Sequence, residues 1–338
     1  MTVGPSAAGA PQGTSSTVRD VATRLPARRP SSVRRTVDLR IVPGAGWDGG
    51  LTVDGTGRDA SVDGRGALSA TATARTRVTL DQRSAVTGLS GGLPAAVGAA
   101  LVGRPAVSGF RAQLRAVDAS ELHPESLEAA LLDDLPTVRL ISGYARMIEM
   151  DHRPGPPPAA LLGVCRGWAP GDTAHRLAQA GEKLLERAPA APPFDALLAA
   201  PDDFHPQTPS PPSSMRRRRI LEVAYEGELL DIYEYFRDSH VDASGREGSL
   251  HEYEVRASVD PRSLVVTDIV VRPRALPFPE CPLAAPNAGA LRGTSLDDIE
   301  ASVKNRLSGT RGCTHLNDVL RFLRFVRPLA DRLPRGEN

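Results

Sequence analysis

The stretch "MRRRRILEVAYEGELLDIYEYFRDSH", residues 215–240, decides how the chain is read. A run of arginines leads into a pair of strands. "GSLHEYEVRASVD" (248–260) and "RSLVVTDIVVRP" (262–273) then supply two more strands with a turn between them. The same order occurs earlier. Arg34 and Arg35 precede the hairpin "TVDLRIV" and "GGLTVDG" (36–42 and 49–55), and "GALSATATARTRVTL" (66–80) alternates as a half-buried strand does, with "RSAVTGLSG" (83–91) after it. Both runs of strands finish in helical sequence. The expected fold is therefore α+β, with two related halves, each a mainly antiparallel sheet covered by helices.

Working outward, residues 1–33 carry Gly, Ala, Ser, Pro and Arg without periodicity and read as a disordered tail. The first half is expected over 34–150, a helix and proline-rich linker over 151–214, and the second half over 215–330. "HPESLEAALLDDL" (123–135) reads as a helix and "TVRLISGY" (137–144), after Pro136, as a strand. "GDTAHRLAQAGEKLLERA" (171–188) reads as a helix capped by Asp172 or Thr173. Proline-rich pieces at 154–158, 189–193 and 205–214 break up the middle, and the last reads as an extended, loosely held linker.

Composition narrows the function. With 41 basic and 40 acidic residues the net charge is +1, so the concentrated positive charge that nucleic acid or acidic lipid requires is missing. No stretch approaches the roughly 18 apolar residues of a membrane span, and the N-terminus has no secretory apolar core. Three widely spaced cysteines do not make a disulfide framework. The expectation is a cytoplasmic protein with reduced thiols, no nucleic-acid partner and no membrane.

The second half concentrates the reactive side chains. In "RLSGTRGCTHLNDVLRFLRFV" (306–326), Leu316, Val319, Leu320, Leu323 and Val326 follow helical spacing and belong to the core. Thr314 is placed as N-cap, Pro328 as helix end, and Gly312 as the residue allowing a tight approach. On the plainest reading Cys313 is a small buried hydrophobe and His315 a first-turn residue near solvent. The alternative is chemical. A cysteine at a helix N-terminus has its thiol pKa lowered, and an adjacent histidine can serve as its base. Cys281, in the proline-bounded "LPFPECP", and His251, opening "HEYEV", give a set of two thiols and two imidazoles: His251, Cys281, Cys313 and His315. These are ligand types for zinc or iron. The 31 residues between Cys281 and Cys313 contain no local C-x-x-C pair. In "FRDSHVD", Asp238, His240 and Asp242 alternate onto one strand face, offering a carboxylate–histidine pair or a metal-binding edge as readily as a solvated strand end. Cys165, in "VCRGWAPG", reads as a lone buried cysteine. No P-loop, G-x-S-x-G or H-E-x-x-H is present.

"SLHEYEVRASVD", "LPFPECP" and "GCTHLNDVLRFL", in this order and with these gaps, resemble the bacterial family catalogued as domain of unknown function 2889, over about residues 216–327. "LLDDLPTVRLISGYA" resembles a longer actinobacterial subgroup. The resemblance implies a histidine opening a strand (His251), a proline-flanked cysteine (Cys281), the Gly-Cys-Thr-His-Leu motif (Cys313, Thr314, His315) and an aspartate-bearing strand at Asp238. Glu252 and Tyr253 depart from the Asp-Met expected after the histidine. Three readings stay open: an enzyme, hydrolase or lyase, acting on a small-molecule substrate with Cys313, His315, His251 and Asp238 as its catalytic residues; a non-catalytic metal-binding or accessory protein holding zinc or iron; and an interaction scaffold.

Overall fold

The computed structural model describes residues 18–45, 49–149 and 161–334. Its centre is one eight-stranded antiparallel sheet in the order β5-β4-β3-β2-β6-β7-β8-β9. The first half contributes β2 (Ser32–Pro43), β3 (Leu51–Val62), β4 (Leu68–Leu80) and β5 (Val86–Ser90). From the second come β6 (Ser214–Glu226), β7 (Leu229–Val241), β8 (Glu247–Val259) and β9 (Val266–Pro273). A separate two-stranded ladder joins β1 (Val18–Arg19) to β10 (Ala275–Leu276). The α+β expectation holds, and each half is an antiparallel meander. The two meanders do not form separate sheets, however: β2 pairs with β6 from Ser32 opposite Ala224 to Ile41 opposite Met215.

The two meanders share a plan in detail. The turns 63–67 and 242–246 each begin with an aspartate, Asp63 or Asp242, whose Oδ1 accepts backbone N–H groups two and four residues on. Each contains a left-handed glycine, Gly66 or Gly245. The register slips between Asp59 and Ala60 against β4, and at the matching place between Asp238 and Ser239 against β8. Such slips re-aim side chains next to them.

Helices cover one face: α1 (Ala95–Leu101), α2 (Phe110–Arg115), α3 (Leu127–Asp133), α4 (Leu135–Glu149), α5 (Thr173–Gln179), α6 (Ile299–Arg306), α7 (Thr314–Phe322) and α8 (Val326–Ala330). The main core lies between them and the sheet, and Leu316, Val319, Leu320, Leu323 and Val326 are buried in it. A smaller core on the opposite face joins Ala22, Leu25, Phe194, Leu197 and Phe204 to Ile220, Tyr233 and Tyr235. No helix among the described residues is long and apolar enough to cross a membrane.

Several expectations are corrected. "TVRLISGY" is helical, within α4: Leu135, Val138, Ile141, Ala145 and Ile148 are buried at helical spacing, and Pro136 sits in the first turn, where no backbone N–H is required. The helix expected over 171–188 stops at Gln179, ahead of Gly181, whose φ is +66°. Residues 20–33 are packed rather than a loose tail; Ala22 and Leu25 are buried, and the Ala22 N–H donates to Glu252. The 205–214 linker is docked on the sheet, with His205 bonded to Thr36 and Thr56 and Gln207 accepting from Arg216 and Arg218. Pro328 does not end the last helix but lies in the first turn of α8. Residues 1–17 of the expected tail and the prolines at 154–158 fall outside the described residues.

Candidate metal centre

Strand alternation divides the arginine run. Arg216 and Arg218 face the smaller core; Arg217 and Arg219 face the helices, and all four are buried. Arg217 forms a two-pronged pair with Asp238 on the neighbouring strand, Nε to Oδ1 at 2.8 Å and Nη2 to Oδ2 at 3.0 Å. Its Nη1 donates to Asp134 at 2.9 Å and Thr137 at 2.7 Å, and Asp318 Oδ2 lies 3.5 Å away. Arg219 bridges Asp134 to Glu234. Burial pushes Glu234 up to about 8 against the pull of Arg219. Asp134 goes the other way: burial opposes its charge, but Arg219 and Arg217 together hold it below the usual carboxylate range.

The first half has the same pair. Arg35 binds Asp59 with Nε to Oδ1 at 2.7 Å and Nη2 to Oδ2 at 2.9 Å. The halves part company at the next position. Across from Asp59 stands Ala72; across from Asp238 stands His251. Arg332 donates to Asp59 Oδ2 at 2.9 Å, whereas His251 Nδ1 lies 3.7 Å from Asp238 Oδ2.

α7 brings His315 onto His251. The rings stack with centroids 3.5 Å apart and planes 16° apart. One ligand atom each from Asp238, His251 and His315 lies within 4.8 Å of the other two, all buried. Burial holds both imidazoles neutral, His315 down to about 3 and His251 well below its usual value, with Arg217 adding to the effect at both and His315 adding to it at His251. His315 Nδ1 meets Thr314 Oγ1 at 3.4 Å and Cys313 Sγ at 4.0 Å. His251 Nδ1 and His315 Nε2 have no hydrogen-bond partner.

The other expected residues fall nearby or elsewhere. Cys313 is the residue ahead of α7, and burial raises its thiol pKa rather than lowering it. Desolvation outweighs the helix N-terminus here, opposite to the lowered thiol pKa expected from the sequence. Cys281 packs against Gly167, where a Cβ would come within 2.8 Å of its Sγ. Its pKa is raised too, by burial and then by Cys313. His240 leaves the cluster: its Nε2 lies 3.2 Å from Glu149 and its ring meets Tyr144 edge-on. Asp242 closes its own turn through Ser244 and Arg246. Sequence reasoning missed Arg217, Asp134, Asp318 and Tyr253. Strand alternation through "MRRRRIL" and from His251 to Tyr253 was the available signal.

Residues 214–327 match the family described as protein of unknown function (DUF2889). That match covers about a third of the chain. No curated protein and no solved structure matches the chain. The DUF2889 segment holds Arg217, Asp238, His251, Cys281, Cys313 and His315, while Asp134 and Cys165 reach the same region from outside it.

Proposed function

We propose that the DUF2889 segment binds a divalent transition-metal ion, zinc or iron, between Asp238, His251 and His315, and that the first half is its scaffold. The observation that carries this reading is the stacked, buried pair of neutral imidazoles, each with an unpaired ring nitrogen and each with a ligand atom within 4.8 Å of one on Asp238. Leaving a buried acceptor unpaired costs about 1–3 kcal/mol, and a cation bound to both nitrogens removes that cost. Neutral imidazole is also the form that ligates. The comparison between halves supports the sign of the ligand. At Asp59 a guanidinium occupies the outer carboxylate oxygen; in the second half two neutral donors stand there instead. The shared turns, register slips and Arg–Asp pairs favour an internal duplication in which one copy carries the site.

Three donors leave coordination positions open, as catalytic metals require. This favours, as a second reading, a hydrolase or lyase for a small metabolite. Three free thiols fit a reducing cytoplasm.

The test is metal content after equilibration with Zn(II), or anaerobically with Fe(II). The wild type should retain an equimolar ion, and His251→Gln and His315→Gln should each bind about tenfold or more weakly. Equal retention by all three proteins, or none by the wild type, sinks the reading.

A further inference from the structure

Of the two edges of the central sheet, β9 is the longer, and most of it is open. Its start is covered by the chain itself, where Val266 exchanges backbone bonds with Gly293 and Thr294. Beyond that point the ladder has one side only. The Arg274 N–H donates to Glu252 O, so the even-numbered residues of β9 turn their backbone groups towards β8. Ile269 and Val271 therefore turn theirs outward. Among the described residues no other backbone group bonds to these two. Such a row of unpaired strand groups is a template for a further strand. A cleft of about 380 Å³ gives it room, between this edge (Ile269, Val270, Val271 and Pro273) and Pro282 and Pro286 of the 3-10 segment Cys281–Leu291.

The side chains match a second copy of the same strand. Ile269 and Val271 pack towards the main core, so alternation puts Asp268, Val270 and Arg272 on the other face. Val270 is 57% exposed, and the side chains of Asp268 and Arg272 are more than half exposed as well. Laid antiparallel to itself about Val270, the strand sets Asp268 opposite the partner's Arg272, and Val270 opposite the partner's Val270. Ile269 then exchanges its outward N–H and C=O with the partner's Val271. Two opposite-charge pairs flank an apolar contact on the axis, and cross-strand pairs of both kinds stabilise a sheet. At present the two charges make only exposed pairs, Asp268 with Arg292 at 2.6 Å and Arg272 with Asp20 at 3.4 Å. Exposed pairs are weak enough to exchange.

We propose that the β9 edge is a self-association surface, through which two copies of the chain pair β9 to β9 about a twofold axis at Val270 and join their sheets. Charged residues and a proline at an edge can also serve to keep strands apart. The order of the charges separates the two roles. Like charges along an edge repel a copy, whereas one acid and one base equidistant from Val270 attract it. The surface is independent of the metal centre, since Asp238, His251 and His315 take no part in it.

Sedimentation velocity of the full chain at micromolar concentration should show a dimer. Asp268→Arg and Arg272→Asp, each made alone, set like charges against one another and should weaken dimerisation about tenfold or more. Both changes in one chain exchange the charges and should restore it. Mixed together, the two single variants should dimerise with one another. Should either fail to fold, Val270→Arg, a change at an exposed position that sets two guanidiniums on the axis, should show the same loss. A monomeric wild type, or a dimer as tight in these variants as in the wild type, overturns the proposal.

Discussion

Arg217 and Asp238 carry the second half at the scale of single residues, and their charges are compensated from outside it. Asp134 accepts from both Arg217 and Arg219 in the interior. Asp134→Asn leaves two buried guanidiniums short of charge, and the expected loss is about 3–5 kcal/mol, read from urea unfolding. On the other face, His205 is bonded to Thr36 and Thr56 and burial holds it neutral, down to about 4. Its folded pKa is depressed, so as pH falls below about 6.5 the unfolded chain takes up a proton that the folded chain refuses. Stability therefore drops between about pH 6.5 and 4. The His205→Gln variant should lose about 3 kcal/mol less than wild type over that window, measured as urea midpoints at several pH values. His251, His315 and Asp238, which the structure brings together, were legible as reactive residue types concentrated in the second half. The arginine run was not, because charged residues at a strand's start ordinarily face water, and only the assembled sheet with its helices shows which carboxylates meet them: Asp238 from β7, Asp38 from β2, Glu247 from β8 and Asp134 from between α3 and α4.

At the scale of elements, the buried face of α7 is as the spacing predicts, while its N-cap is Cys313 rather than Thr314 and makes no side-chain capping bond. The spacing of Leu316, Val319 and Leu320 assigns its buried face, and Gly312 is needed just before it for a reason that spacing alone cannot give. A Cβ at Gly312 would stand 1.9 Å from Leu307 O, a backbone atom that cannot swing aside. Gly312→Ala is expected to cost about 3 kcal/mol and to disturb the placing of both His315 and Cys313, which thermal unfolding checks. α4 was misread because "TVRLISGY" taken alone has strand-like residues. Its helical period becomes clear only when Leu135, Ala145 and Ile148 are counted with it. The docked segments 20–33 and 205–214 have no period at all; what holds them is hydrogen bonding and burial on the far face of the sheet.

At the scale of the whole molecule, the two halves are one folding unit. β6 loses its neighbour β2 if the first half is removed, and Arg217 and Arg219 lose Asp134. Residues 214–327 expressed alone should show no cooperative thermal transition, while the full chain should unfold with one midpoint by circular dichroism and by fluorescence. A sharp transition for the excised segment would contradict the shared sheet. The repeated order of elements was visible in sequence; the fusion into one sheet was not, because it depends on which edges meet. The central claim remains the ion between the two meanders' point of divergence and α7. Crystals of the full chain soaked in Zn(II), with anomalous differences recorded on both sides of the zinc edge, test it most directly. A single zinc peak within bonding distance of Asp238, His251 and His315 is the predicted result. A map with no peak there, or with zinc bound only elsewhere, would contradict it.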